Sequence, residues 1–236
     1  MPPGEVHVWV GDLDELASDP GGERAWLSPD ERERASRFRR ELDRNRWVAS
    51  RELLRRVLAG YTGRQPGQVE LRLGTNDKPE LVGGEDGNAP HFNLSHSGPK
   101  VVIAVAQEPV GVDIEQLREL PELDGLLRHT LRPAEIAAFE GVPEGRRAES
   151  FFAVWTRKEA YLKARGRGIG ALKRVGVSVD PDSAALTGDD EDPHAEERYS
   201  VFDLDMGPGY RGAIAAAGDP LVVVRAPTEL GDGGRD

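Results

Sequence analysis

The sequence contains no cysteine. That excludes disulfides, thiolate catalysis and cysteine-ligated zinc, and it fits a cytoplasmic protein. No window approaches the roughly 20 consecutive apolar residues that a membrane span requires. The opening residues, MPPGEVHVWVGDLDEL, have neither a basic n-region nor an apolar h-region, so no secretory signal is expected. Positive charge is in deficit. The formal net charge is −11 at pH 7, which argues against nucleic acid as the main partner, because phosphate backbones are held by basic surfaces. There is no GxxxxGK(S/T) loop and no GxGxxG after a strand, so neither a P-loop nor a Rossmann nucleotide site is expected.

What is present is an ordinary composition for a folded chain: 236 residues, 38% hydrophobic and 31% charged. That length builds one large domain or two small ones. Charge is unevenly spread. Residues 31–56, ERERASRFRRELDRNRWVASRELLRR, are rich in arginine. Residues 182–197, DSAALTGDDEDPHAEE, are strongly acidic and read most simply as a solvated loop.

VHVWVG alternates as a strand does. The run from Leu27 to Gly63 reads as helix, with Ser28 as N-cap, Pro29 at the first helical position and Glu31 three residues after the cap. Its length predicts two helices or a bend, ended by Gly60 and Gly63. VELRLG, HFNLSHS, KVVIAVAQ and PVGVDIE follow as strands, with turn-rich NDKPELVGGEDGNAP between the first two. Helical patterning returns in RPAEIAAFEGV and AESFFAVWTRKEAYLKARG, followed by strands in VGVSVD, YSVFDLD, YRGAIAAAG and LVVVRA. The expected fold is α+β, in two similar halves that meet near residue 108. The closing strands lack intervening helices, which predicts mostly antiparallel sheet. The expected division is 1–108 and 109–227, with residues 228–236 a disordered tail.

Two carboxylates interrupt an apolar strand in VGVDIE. Alternation turns Val110, Val112 and Ile114 one way and Gly111, Asp113 and Glu115 the other. The two acids then share a face about 7 Å apart, with Gly111 leaving room beside them. A hard cation between them relieves their repulsion, and Mg²⁺ is commonly held by one or two carboxylates plus substrate phosphate. Read alone, the pair equally fits the solvated end of an edge strand. In FFAVWTRKEAYLKARGRG, Phe151, Phe152, Trp155 and Leu162 form an apolar stripe, with Glu159 and Lys163 four apart at its edge. That pair is either a surface ion pair or a third metal ligand beside a phosphate-neutralising lysine. In HFNLSHSGP, His96 lies between two serines, a combination that suits phosphate but is also ordinary for a loop.

FNLSHSGP, VGVDIE and FFAVWTRKEAYLKARGRGI, in that order, resemble the 4′-phosphopantetheinyl transferases of the two-lobed Sfp type. LSPDERERASRF…NRW matches more weakly, and DKPEL fits the family's Lys-Pro turn; the resemblance runs from about Leu27 to Ile169. It implies a pseudo-dimer of two α+β lobes with the site in the cleft between them, the metal site being carried by the second lobe. It implies an enzyme that uses Mg²⁺ and coenzyme A. The phosphopantetheine arm is moved onto a serine of an apo acyl or peptidyl carrier protein, and adenosine 3′,5′-bisphosphate is released. By the same resemblance Asp113, Glu115 and Glu159 are the metal ligands, with Lys163 on the diphosphate. His96 with Ser95 contacts a coenzyme A phosphate, and Lys78 and Arg46 hold the nucleotide part. Glu159 is the candidate general base for the serine proton.

The match has departures. Ile114 lies between the two acids and cannot ligate, and Glu31 stands where some relatives carry a basic residue, which leaves Arg34 as the nearest contact for the 3′-phosphate. The other arginines of that segment are expected on a solvated helix face. A monomer is expected, acting on carriers of secondary-metabolite synthases or of fatty-acid synthesis. Two rivals stay open: a Mg²⁺-dependent diphosphate hydrolase, and a non-catalytic module that binds coenzyme A or carrier protein.

Overall fold

In the computed structural model, residues 1–18, 26–74, 78–83 and 89–225 are described. The chain runs β1 (Glu5–Asp12), α1 (Leu13–Ser18), α2 (Pro29–Ser36), α3 (Glu41–Thr62), β2 (Leu71–Leu73), β3 (Pro79–Leu81), β4 (His91–Ser97), β5 (Lys100–Ala106) and β6 (Val110–Gln116). It continues through α4 (Leu123–Thr130), α5 (Pro133–Glu140), α6 (Arg147–Ala164), β7 (Val175–Val177), β8 (Leu186–Asp189), α7 (Ala195–Arg198), β9 (Tyr199–Leu204), β10 (Tyr210–Ala217) and β11 (Leu221–Arg225).

The arginine-rich stretch is two helices. Ser28 Oγ accepts the Glu31 N–H and the Glu31 carboxylate accepts the Ser28 N–H, which closes a capping box on α2. The helix α3 passes through Gly60 and ends at Thr62, where Gly63 takes the left-handed conformation (φ 67°) that a side chain resists. Glu31 also binds Arg51 at 2.8 Å and Arg55 at 2.8 Å, and so pins α2 to α3. These arginines are therefore not on a solvated face: Arg55 is buried, and burying it is tolerable because Glu31 and the Val69 carbonyl take its protons. Burial alone would raise the Glu31 pKa, but the Ser28 N–H and the two guanidiniums hold it below the usual range.

Two main sheets follow, beside two-stranded β2-β3 and β7-β8. One has the order β11-β1-β5-β4, the other β6-β10-β9. All pairings within them are antiparallel except β1 with β11, which is parallel. Each strand face has its own partner. Trp9, Val101, Ile103 and Val105 pack with Leu53, Leu54, Val57 and Leu58 of α3. The opposite faces, Val6, Val8, Val102 and Ala104 of one sheet and Val110, Val112, Ile114 and Ile214 of the other, form a second core between the sheets. Ala213 and Ala215 turn outward to Phe151, Phe152, Val154 and Leu162 of α6. The layers are thus helix, sheet, sheet, helix, an α+β fold whose halves are alike in construction. Each fully buried Leu or Phe in these layers contributes about 1.5–3 kcal/mol.

Two expectations are corrected here. Residues 221–225 do not stay with the second half, because β11 adds to the open edge of β1, where Val222 packs against the core between the sheets. The acidic run is not a solvated loop. It forms β8 and α7, and Asp189 and Asp192 are buried because arginines surround them: Arg167 lies 2.7 Å from Asp189, and Arg165 and Arg198 each lie 2.6 Å from Asp192. The expected tail, 228–236, lies outside the described residues.

Candidate active site

The acids of β6 meet α6 because of one glycine. A Cβ on Gly111 would overlap the Ala160 carbonyl and the Ala164 amide, so only glycine lets the α6 backbone lie against β6. The face beside Gly111 is therefore filled, not open as the strand pattern predicts. This contact sets Asp113 beside Lys163, whose ammonium donates to Asp113 Oδ1 at 2.6 Å. Lys163 also reaches the Val112 carbonyl at 3.3 Å and Ser95 Oγ at 3.4 Å.

From the other sheet, β4 supplies polar groups along β6. The Asn93 side-chain carbonyl accepts the Val112 N–H at 2.9 Å. Ser95 Oγ donates to Asp113 Oδ1 at 2.8 Å, and Ser97 Oγ donates to Glu115 at 3.1 Å while accepting the Gln116 N–H. Ser95 and Ser97 are two apart and so share a face, while His96 is exposed. Although the residue keeps much of its surface exposed, desolvation of the ring, then the charges of Lys163 and Arg46, hold the His96 imidazole below the usual histidine range.

Glu159 lies one turn before Lys163 and is 8% exposed. Lys163 pairs with Asp113, and Glu159 Oε1 and Asp113 Oδ2 are buried with no hydrogen-bond partner. Burial pushes the Glu159 carboxyl up to about 7; Lys163 opposes this, and the charges of Asp113 and Glu115 add to it. Three carboxylates thus act on one another around a single lysine. They do not converge into a ligand shell: among the described residues no group of three or more His, Asp or Glu is placed to hold a metal ion as it stands. Two orphaned carboxylate oxygens and mutual repulsion are nevertheless the features a hard cation would satisfy.

The basic residues divide. Lys78 crosses to the other half, where its ammonium donates to the Lys163 carbonyl at 2.8 Å and the Val110 carbonyl at 3.4 Å, and burial lowers its pKa. Beside it a cavity of about 540 Å³ is lined by Pro79, His91, Phe92, Pro109 and Arg165. Arg46 makes a two-pronged pair with Asp14. Arg34 lies 5.7 Å over the Trp47 ring and is not brought to the Asp113–Lys163 cluster by any contact.

Residues 109–215 match the 4′-phosphopantetheinyl transferase superfamily, and residues 23–108 match the 4′-phosphopantetheinyl transferase N-terminal family. Among similar proteins, the 4′-phosphopantetheinyl transferase HetI of Nostoc sp. PCC 7120 is 37% identical over 215 residues, covering 91% of this chain and 88% of its own. The chain belongs to the 4′-phosphopantetheinyl transferase superfamily. AcpT of Escherichia coli K12 is 34% identical over 182 residues (74% and 78% of the two chains), and Sfp of Bacillus subtilis 168 is 26% identical over 215 (87% and 89%). The two matched segments abut at 108/109.

In this phosphopantetheinyl transferase, sequence reasoning missed several supports. Arg157 and Lys158, adjacent to Glu159, are fully buried and belong to the core: Arg157 binds Asp203, and Lys158 binds Glu135 at 2.6 Å and the Thr130 and Leu172 carbonyls. Their partners lie 14 to 46 residues away, and no local spacing marks them. Ser97 was legible in principle, since NLSHS repeats serine at the strand period.

Proposed function

We propose that this transferase moves the phosphopantetheine arm of coenzyme A onto a serine hydroxyl of an apo carrier protein. The observation that carries this reading is the buried Asp113–Glu159–Lys163 cluster, with more carboxylate oxygens than partners and one lysine held among them. Asp113, Glu115 and Glu159 would hold Mg²⁺, which would supply positive charge to neutralise the diphosphate.

The chain's own groups account for the remaining chemistry. The serine Oγ forms a bond to the β-phosphorus, and the bond from that phosphorus to the bridging oxygen breaks. Adenosine 3′,5′-bisphosphate leaves with the electron pair. Lys163 donates to the departing phosphate oxygen, an electrostatic role made stronger by partial burial. Glu159 Oε1, which has no donor of its own, accepts the serine proton. Ser95 orients Asp113 Oδ1, Arg46 extends the positive charge toward the nucleotide, and His96, held below the usual histidine range, offers a mostly neutral imidazole that can hydrogen-bond a phosphate. Lys78, buried against the end of α6, holds that end in place as well as lying beside the nucleotide path. We read the protein as a cytoplasmic monomer, because one chain supplies both halves of the site, and carriers of secondary-metabolite synthases as its first candidates.

Intact-protein mass spectrometry tests this. An apo carrier protein incubated with the enzyme, coenzyme A and Mg²⁺ should gain one phosphopantetheine, and the gain should vanish with EDTA and with Asp113→Ala. Release of phosphopantetheine without any carrier would point to a hydrolase instead, and binding without turnover on any carrier would point to a binding module.

A further inference from the structure

Arg46 is not free to meet a ligand on all sides. Its Nε and Nη2 donate to Oδ1 and Oδ2 of Asp14, both at 2.7 Å, across α3 and α1. This is the fork-to-carboxylate match that a phosphate would otherwise take. The pair lies near the β4–β5 turn that follows His96, because α1 starts where the Leu13 N–H donates to the Pro99 carbonyl at 2.6 Å. The imidazole of His96 feels both Arg46 and Lys163, and Tyr210, from the other sheet, feels Asp12, Asp14 and Arg46. Asp14 is itself held, since its N–H donates to Asp12 Oδ1 at 3.0 Å.

Coenzyme A carries two separate anionic groups. If the Lys163 cluster serves the diphosphate, Arg46, whose charge the His96 imidazole also feels, is a cation suited to the 3′-phosphate. We infer that Asp14 is a positioning residue that competes with the 3′-phosphate for Arg46 and thereby sets how tightly the nucleotide end is held and how readily it is released. This rests on the coenzyme A reading above. Asp14 fixes the guanidinium in one orientation through the two hydrogen bonds. A phosphate arriving there meets a carboxylate already on the Nε edge and must share or displace it. Because adenosine 3′,5′-bisphosphate keeps the whole nucleotide end, the same competition helps the product leave.

The test is calorimetric binding of coenzyme A, 3′-dephospho-coenzyme A and adenosine 3′,5′-bisphosphate to wild type, Asp14→Asn and Asp14→Glu, with steady-state kinetics alongside. Asp14→Asn should bind coenzyme A and the bisphosphate on the order of 3- to 10-fold more tightly, the effect of removing one nearby, half-solvated charge. Its affinity for the dephospho compound should stay unchanged. KM for coenzyme A should fall and kcat should fall with it, and Asp14→Glu should restore wild-type values. Equal changes for the phospho and dephospho compounds, or weaker binding of both, would overturn the role of Asp14 while leaving the coenzyme A reading intact. A wild type that binds none of the three would overturn that reading and the inference with it.

Discussion

Two regions of this chain are crowded with carboxylates, and they treat them in opposite ways. In the run 189–192 every acid meets a guanidinium: Asp189 with Arg167, Asp190 with Arg132, Glu191 with Arg174 and Arg167, and Asp192 with Arg165 and Arg198. Tyr161 of α6 adds a hydroxyl to Asp189 at 2.9 Å. At the cleft, Asp113 and Glu159 each keep a buried oxygen with no partner. In the first every carboxylate has a cationic partner, and the pairs fasten the segment after α6 to the body of the fold. The second is left short of positive charge, as the proposed function requires of a place that takes up a cation and a phosphate. Acid content says nothing about function; the balance of donors to acceptors does.

The sharpest way to break this comparison is to remove one acid from each region. Glu159→Gln should lower transfer to a carrier protein by about 10²–10⁴-fold, the usual range for a lost general base. It should leave thermal stability unchanged or raised, because it removes a buried, unpaired charge. Near-normal turnover would show that another group takes the serine proton. Asp189→Ala should do the reverse. It strands the Tyr161 hydroxyl and leaves the largely buried Arg167 with Glu191 alone, so unfolding in urea should register a loss of about 3 kcal/mol. If Asp189→Ala proved as mild as a surface change, the paired cluster would not be the fastening described here.

A smaller effect is expected where α6 touches β6. Gly111→Ala must push the Ala160 and Ala164 backbone away, at about 1–3 kcal/mol of overpacking. The shift also separates Lys163 from Asp113, so kcat should fall more steeply than stability. A variant with normal kcat would mean that the site tolerates slack between the two elements.

The same contrast shows what the sequence could reveal. The strand alternation around Asp113 was readable because a period of two is local, and the structure places Val110, Val112 and Ile114 on the opposite face to Asp113. The Ser28–Glu31 cap was readable for the same reason. The pairing of Lys163 with Asp113 was not, since the ammonium reaches across 50 residues of chain in place of the four to Glu159. Nor was the burial of Asp189 and Asp192, because their partners sit on α6, in the segment after it and on α7, and an acidic string read alone looks solvated. Gly111 was read as empty space because sequence shows a missing side chain but not the backbone that fills its place.

The mildest test separates the regions by pH, on metal-free protein. Asp189 and Asp192 are lowered in the folded state: burial opposes ionisation, but the Glu191 and His194 amides and the arginines more than offset it. Their contribution is therefore full above the unfolded carboxylate value near pH 4 and is lost as pH falls through the folded values. Glu159, pushed up to about 7, acts with the opposite sign. Above its unfolded value and below 7 the folded carboxyl holds a proton that the unfolded one has released, so stability falls as pH rises through that window. Urea midpoints from pH 3 to 8 should rise on the acid side and then decline toward neutrality. Asp192→Asn should flatten only the rise and Glu159→Gln only the decline. If one substitution flattened both limbs, the two acid clusters would be coupled through α6, and the distinction between a fastening and a site would dissolve.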